Sequence, residues 1–192
     1  MKGRHGILLA AGAGTRFGGG KLTADWRGAP LVVWAARAAL AARVERVTVV
    51  LGARADQVRA ALTVLTDERL HFVVARDWAL GQSASLKAGI RALPGDATGF
   101  AVFLGDMPAV DPGLADRLLD AIEAGAPAAR AHAPTGPAHP AAFSTPLIPE
   151  LLALGGDQGG RAVFDRLGDE SRLIETDDPG AVLDIDRRSD LS

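Results

Sequence analysis

The sequence predicts an α/β protein built on a mostly parallel, Rossmann-like mixed sheet. Short β-branched or apolar runs alternate with longer Ala- and Leu-rich segments of helical period, the pattern of βα units. The first apolar run leads straight into a glycine-rich loop, as at the end of a first parallel strand. With 192 residues, 48% of them hydrophobic, the chain is long enough for a substantial core and is expected to form one domain over 1–192.

The elements follow in order. Strands are expected near Gly6–Ala10, Val47–Leu51, Leu70–Ala75 and Phe100–Leu104. The first helix begins at Pro30, and its Leu31, Trp34, Ala35, Ala38 and Ala42 share one face. "ARADQVRAALTVL" and "QSASLKAGIRAL" suit helices, the second started by a serine cap. "DPGLADRLLDAIEAG" reads as a helix with Asp111 as cap, Pro112 in its first turn and Gly125 as its stop. After Gly125 the pattern loosens into a Pro- and Ala-rich stretch, with small strands flanking a loop from Pro134 to His139. A helix over Gly160–Leu167 and strands at Leu173–Thr176 and Val182–Ile185 close the chain, adding antiparallel members late.

Composition narrows the function. The net charge of −2 and the interspersed signs provide no basic stripe, so nucleic acid is not an expected partner. The absence of cysteine excludes disulfides, thiolate metal sites and thiol nucleophiles. The N-terminus imitates a signal peptide, but its apolar run is only Ile7 to Ala11, and no run approaches the roughly 20 residues of a spanning helix. A soluble, cytoplasmic protein without a membrane partner is expected.

The stretch "LLAAGAGTRFGGGKL" places five glycines, Arg16 and Lys21 behind the first strand. It is not a P-loop, because Leu22 follows Gly20-Lys21 and Thr15 stands where the first glycine belongs. A strict dinucleotide fingerprint fails too, since Phe17 occupies the third glycine position and Gly18 comes one residue late. A looser variant using Gly12, Gly14 and Gly18, with Arg54 facing a 2′-phosphate, keeps an NADPH-dependent oxidoreductase open. A bare tight turn is the simplest alternative. Bare backbone N–H groups flanked by two cations favour a polyphosphate cradle.

At this point the stretch resembles the opening signature of the nucleotidyltransferases, and within them the molybdenum cofactor cytidylyltransferase and guanylyltransferase group. "GQSASLKAG" (81–89), "LGDMPAV" (104–110), "HPAAF" (139–143), "GGDQGGRAV" (155–163) and "DIDRRSDL" (184–191) agree with that group in order and spacing. The second and fifth of these six segments bring it closest to the cytidylyltransferase branch. The resemblance implies a three-layer nucleotidyltransferase fold, with about 1–125 as nucleotide-binding part and about 126–192 as acceptor-side part. It implies Mg²⁺ (or Mn²⁺) as cofactor, CTP ahead of GTP as donor, a phosphorylated acceptor such as molybdopterin, and a molybdoenzyme or cofactor-pathway partner.

It also assigns residues. Arg16 would grip the β/γ-phosphates and Lys21 the α-phosphate, while Asp106 and Asp186 would hold the metal, with Asp184 less certain. The nucleotide would lie against Leu9, Ala10, Ala11, Gly12, Gly14 and Thr15, with Gly81, Ser83 and Ser85 on the base side. His139, Asp157 and Arg161 are acceptor-side candidates. The residues alone also allow plainer roles: a turn aspartate at Asp106, a solvated strand end at Asp184 and Asp186, helix caps at Ser83 and Ser85, and a loop hydrogen-bonder at His139. Two departures stand out: "PTGPAHP" lacks the group's arginine before its His-Pro pair, and "DIDRR" replaces "DIDTP". The altered acceptor loop leaves a third reading open, a non-catalytic nucleotide- or cofactor-binding protein.

Overall fold

The computed structural model describes residues 2–191. Its strands are β1 (Arg4–Ala10), β2 (Asp25–Trp26), β3 (Ala29–Pro30), β4 (Arg46–Leu51), β5 (Leu70–Val74), β6 (Gly99–Leu104), β7 (Ala128–Ala133), β8 (Gly136–Ser144) and β9 (Arg172–Glu175). The helices are α1 (Leu31–Ala41), α2 (Ala55–Ala61), α3 (Gln82–Arg91), α4 (Pro112–Glu123), α5 (Ile148–Ala153) and α6 (Arg161–Leu167). Seven strands form the main sheet in the order β5-β4-β1-β6-β8-β7-β9, and β2 and β3 make a separate small hairpin. β1 pairs in parallel with β4 and β6, and β4 with β5; β8 alone runs against its neighbours β6 and β7, while β9 lies parallel to β7. The architecture is the expected α/β one, a mostly parallel mixed sheet between helical layers.

The alternation of side chains along the strands builds the two layers. Leu8, Ala10, Ala101 and Phe103 pack with residues of α1, α2 and α4, whereas Ile7, Phe100, Val102 and Phe143 pack with residues of α3, α5 and α6. α1 is buried nearly all round, with Leu31, Val32, Val33, Ala36 and Ala39 inaccessible to solvent. α4 shows a clean amphipathic stripe of Leu114, Leu118, Leu119 and Ile122. Its start is as expected: the Asp111 carboxylate accepts from the Gly113 N–H at 3.1 Å, with Pro112 in the first turn.

Four expectations need correction. No strand forms at Val182–Ile185; Pro179–Ala181 make a 3-10 turn and the chain then runs irregularly. The apolar-polar alternation there serves an anchor: fully buried Ile185 packs with Phe17, Trp26 and Leu31, and its N–H donates to the Asp106 carbonyl at 3.2 Å. Pro134 to His139 is not a loop, because β8 begins at Gly136 and His139 lies inside it. The late strands are not uniformly antiparallel, since β9 is parallel to β7. α3 has no serine cap; Gly81 precedes it, Ser83 and Ser85 are buried within it, and the Gly156 carbonyl accepts the Ser83 N–H at 3.1 Å.

The chain crosses from β1 to β4 on one side and returns to β6 on the other, so the carboxyl ends of β1 and β6 flank a switch point of the sheet. Such points open a crevice for ligands.

One buried group makes stability pH-dependent. His5 in β1 is 2% exposed, and neither ring nitrogen has a partner. Desolvation holds its pKa below the ordinary 6.5; the Glu45 and Asp96 charges oppose this, and Arg46 adds to it. The unfolded chain therefore binds the proton more tightly, so this contribution is complete above about 6.5 and declines as pH falls below it. Thermal unfolding between pH 7 and 5 is expected to show a falling midpoint, and His5→Leu to flatten that fall; an equal slope in the variant refutes the assignment.

Candidate active site

The site begins where β1 ends. Gly14, Gly18, Gly19 and Gly20 all have positive φ, between 62° and 87°, which side chains rarely tolerate. They fold the loop back on itself: the N–H groups of Phe17 and Gly19 both donate to the Gly14 carbonyl, at 3.1 and 2.9 Å. Thr15–Phe17 and Lys21–Thr23 each form one 3-10 turn. A Cβ on Gly14 would press on the Lys21 Cβ at 2.9 Å, so the bare backbone there lets the lysine tuck beneath the loop. On the neighbouring strand end, a Cβ on Gly52 would collide with the Ala11 carbonyl, which keeps the two crossings close.

Lys21 is the hub. Its side chain is only 9% exposed, and its Nζ lies 2.8 Å from Asp106, 3.0 Å from Asp186 and 3.5 Å from Asp184. Arg16 is 79% exposed and reaches the other Asp186 oxygen at 3.0 Å. Asp106 stands two residues past the end of β6, after Gly105, whose N–H donates to the Leu9 carbonyl at 2.9 Å and splices β6 onto β1. Asp184 and Asp186 flank the Ile185 anchor, so an extended backbone turns both carboxylates away from the core and toward Lys21. Both carboxylates thus reach Lys21 although no strand forms there.

The electrostatics follow from this crowding. Burial opposes the Lys21 charge, but the hydrogen bond and charge of Asp106, the hydrogen bond to Asp186 and the charge of Asp184 outweigh it and raise its pKa. Desolvation and the Asp106 charge push Asp184 up, against the pull of Lys21. Asp186 is held low by its hydrogen bonds to Lys21 and Arg16.

Among the described residues no group of three or more His, Cys, Asp or Glu side chains is arranged to hold a metal ion by itself. The donor set nevertheless fits a hard divalent cation: Asp106 and Asp186 direct carboxylate oxygens to within 3.0 Å of one cationic atom. Mg²⁺ takes one or two protein carboxylates and fills its remaining positions with water and phosphate oxygens.

A cavity of about 360 Å³ opens beside this cluster, on the α3 and α6 side of the sheet. It gathers the acceptor-side candidates His139, Asp157 and Arg161, and it also includes Leu9, which the sequence reading assigned to the nucleotide. The Nδ1 atom of His139 is buried without a partner, and desolvation lowers the ring's pKa against the pull of Asp106. Ala10 and Ala11 are buried at the end of β1, while Gly12 and Thr15 lie on the loop surface. Gly81 backs against Gly156, and Ser83 faces a different depression, with Gly155 and Gly156.

The sequence reading passed over two polar residues of the cavity, Gln82 and Arg130. Arg130 shares the β7 sequence "AARAHA" with four alanines and His132, and a cation on a strand this rich in small residues is the signal that could have found it.

Comparisons with known proteins find relatives in sequence and in structure. The chain is similar to nicotine blue oxidoreductase of Paenarthrobacter nicotinovorans, with 31% identity over 189 residues, 94% of this chain and 91% of the relative. It is similar in structure to Rv0371c of Mycobacterium tuberculosis, with a TM-score of 0.85 and 28% identity over 97% of this chain and 94% of that one. Rv0371c has also been solved in complex with manganese. A nucleotidyl transferase from Methanothermobacter thermautotroptrophicus superimposes with a TM-score of 0.80 and 27% identity, covering 97% of this chain and 93% of the other. No helix among the described residues is long and apolar enough to cross a membrane. The model of the MobA-like NTP transferase domain matches residues 6–171, and the chain belongs to that family.

Proposed function

We propose that this protein transfers a nucleoside monophosphate from an NTP, CTP by the sequence resemblance, to a phosphorylated small molecule, with molybdopterin or its molybdenum form as the named expectation. The observation that carries the reading is the convergence of Lys21, Arg16, Asp106 and Asp186 at the mouth of a glycine loop. An acceptor phosphate oxygen attacks the α-phosphorus; the new P–O bond forms as the bond to the β-phosphate oxygen breaks, and pyrophosphate leaves with the electron pair. No side-chain nucleophile is needed, so the protein's work is positioning and charge stabilisation.

In this reading Arg16, already at the surface, takes the β/γ-phosphates, and Lys21 takes the charge developing at the α-phosphate and the bridging oxygen. Gly12, Gly14 and Thr15 line the phosphates with backbone, Ala10 and Ala11 border the nucleoside, and Gly81, Ser83 and Ser85 shape the base side. Asp106 and Asp186 would hold a divalent cation, Mg²⁺ or Mn²⁺, which supplies charge neutralisation of the phosphates. His139, Asp157 and Arg161 border the acceptor.

A second reading rests on the oxidoreductase relative and on Arg54, whose guanidinium lies close over Gly19. It assigns the same loop to NADPH. One experiment separates the two: thermal shifts with CTP, GTP, ATP and NADPH, each with and without Mg²⁺, since a ligand of the folded state raises its stability. Transfer predicts a Mg²⁺-dependent shift with CTP above the others; a metal-independent shift with NADPH alone overturns it.

A further inference from the structure

The cavity beside the carboxylate cluster is lined by a cation, Arg130, that makes no ion pair among the described residues. Arg130 on β7 pairs in register with Ala141 on β8, and Phe143 lies two residues from Ala141, so Arg130 and Phe143 point to one face of the sheet; His139, beyond the register shift between Arg130 and His132, lines the same cavity. On that face the Arg130 guanidinium lies over the Phe164 ring, 4.9 Å from its centroid. Its Nε is buried and makes no hydrogen bond. The neighbouring His139 Nδ1 is equally buried and unpartnered. The lining also includes the apolar Leu86, Val102 and Phe143, with Gln82, Asp157 and Arg161 as its other polar members.

Buried polar atoms are nearly always satisfied, so an arginine with an unpartnered Nε and no ion pair, lining one cavity with a histidine whose Nδ1 is unpartnered, points to a ligand. Held over the Phe164 ring, the guanidinium keeps its planar fork of N–H donors, the group suited to phosphate oxygens.

We infer that Arg130 is the anchor of the second substrate, a small phosphate ester with an apolar or aromatic body. Its phosphate is held by Arg130 and His139, and its body rests against Leu86, Val102 and Phe143. This deepens the transfer reading and rests on it for the role of the bound molecule, though not for the binding itself.

The test is calorimetric titration of the whole chain with phenyl phosphate, alongside the CTP and Mg²⁺ thermal shift. Wild-type protein is expected to bind phenyl phosphate in the millimolar range or tighter, with Arg130→Gln weakening it about tenfold or more and Arg130→Lys falling between. Arg130→Gln should leave the CTP shift unchanged and the unfolding midpoint equal or higher, because it removes an uncompensated charge; a merely structural stack on Phe164 would lower the midpoint and leave phenyl phosphate binding intact. Equal binding by wild type and Arg130→Gln, no binding by wild type, or benzoate binding as tightly as phenyl phosphate overturns the inference. Loss of the CTP shift in wild type with Arg130-dependent phenyl phosphate binding retained overturns the transfer reading alone. Should Arg130→Gln fail to fold, the Arg130→Lys titration decides: unchanged affinity for both phenyl phosphate and benzoate refutes the anchor.

Discussion

Asp106→Asn is expected to lower Mg²⁺-dependent pyrophosphate release from CTP and acceptor by about 10²- to 10³-fold, the effect of losing one preorganised charge contact, about 2.7–4 kcal/mol. The substitution keeps the shape of the side chain and removes its charge, so the splice of Gly105 onto Leu9 and the anchoring of Ile185 on the Asp106 carbonyl both remain, being backbone bonds. The variant should therefore fold with a near-wild-type midpoint. It should also need more Mg²⁺ for the same CTP thermal shift, because one of the two carboxylates proposed to hold the cation no longer can. Turnover within a few-fold of wild type at equal Mg²⁺ would remove Asp106 from the chemistry.

Lys21→Met should be as damaging to turnover, by about 10²- to 10³-fold, and its physical signature is the reverse of that of Asp106→Asn. Wild-type Lys21 neutralises three carboxylates from beneath the loop. Removing it leaves them facing one another, and breaking a buried ion pair from one side costs more than the pair itself is worth. The variant should be less stable above the carboxylate range, where Asp184 and Asp186 are ionised, and should recover as pH falls into that range and these two take up protons. Mg²⁺ should substitute for the lost cation, so the variant gains a larger Mg²⁺-induced shift without nucleotide than wild type does. A Mg²⁺ shift no larger than wild type, with stability unchanged at neutral pH, would show that Lys21 does not compensate the cluster.

The legibility of this chain differs sharply between its halves. β1, β4, β5 and β6 each appear within a residue or two of where the apolar runs suggested; β4 and β6, covered on both faces, must be apolar throughout and so announce themselves, while edge strand β5 shows in its β-branched run. α4 was equally plain, with its aspartate cap, early proline and following glycine. The half after Gly125 is less legible. "PTGPAHP" has the turn residues of a loop, yet pairing with β7 and β6 takes Gly136–Ser144 into the sheet, and proline at a strand position overrode the local reading. "AVLDID" has the alternation of a strand, yet its apolar members are used to anchor the tail against Phe17 and Trp26. Alternation reports which side chains are buried, and any extended segment pinned to a core produces it, with or without a ladder.

The sequence alone determined the α/β layout, the glycine loop with its two cations, and the carboxylates of 104–110 and 184–191, because each is written in a run of adjacent residues whose spacing constrains the backbone. Only the tertiary structure decided that Lys21 lies beneath the loop with its charge shared among Asp106, Asp184 and Asp186, residues 85 or more positions away in the chain. It alone brought Arg130, His139 and Phe164 to one wall, since that meeting depends on the register of β7 against β8 and on α6 folding over the same face. Short-range pattern is set by local sterics and burial, whereas the partner of a charge is chosen by packing across the sheet, which no local spacing encodes.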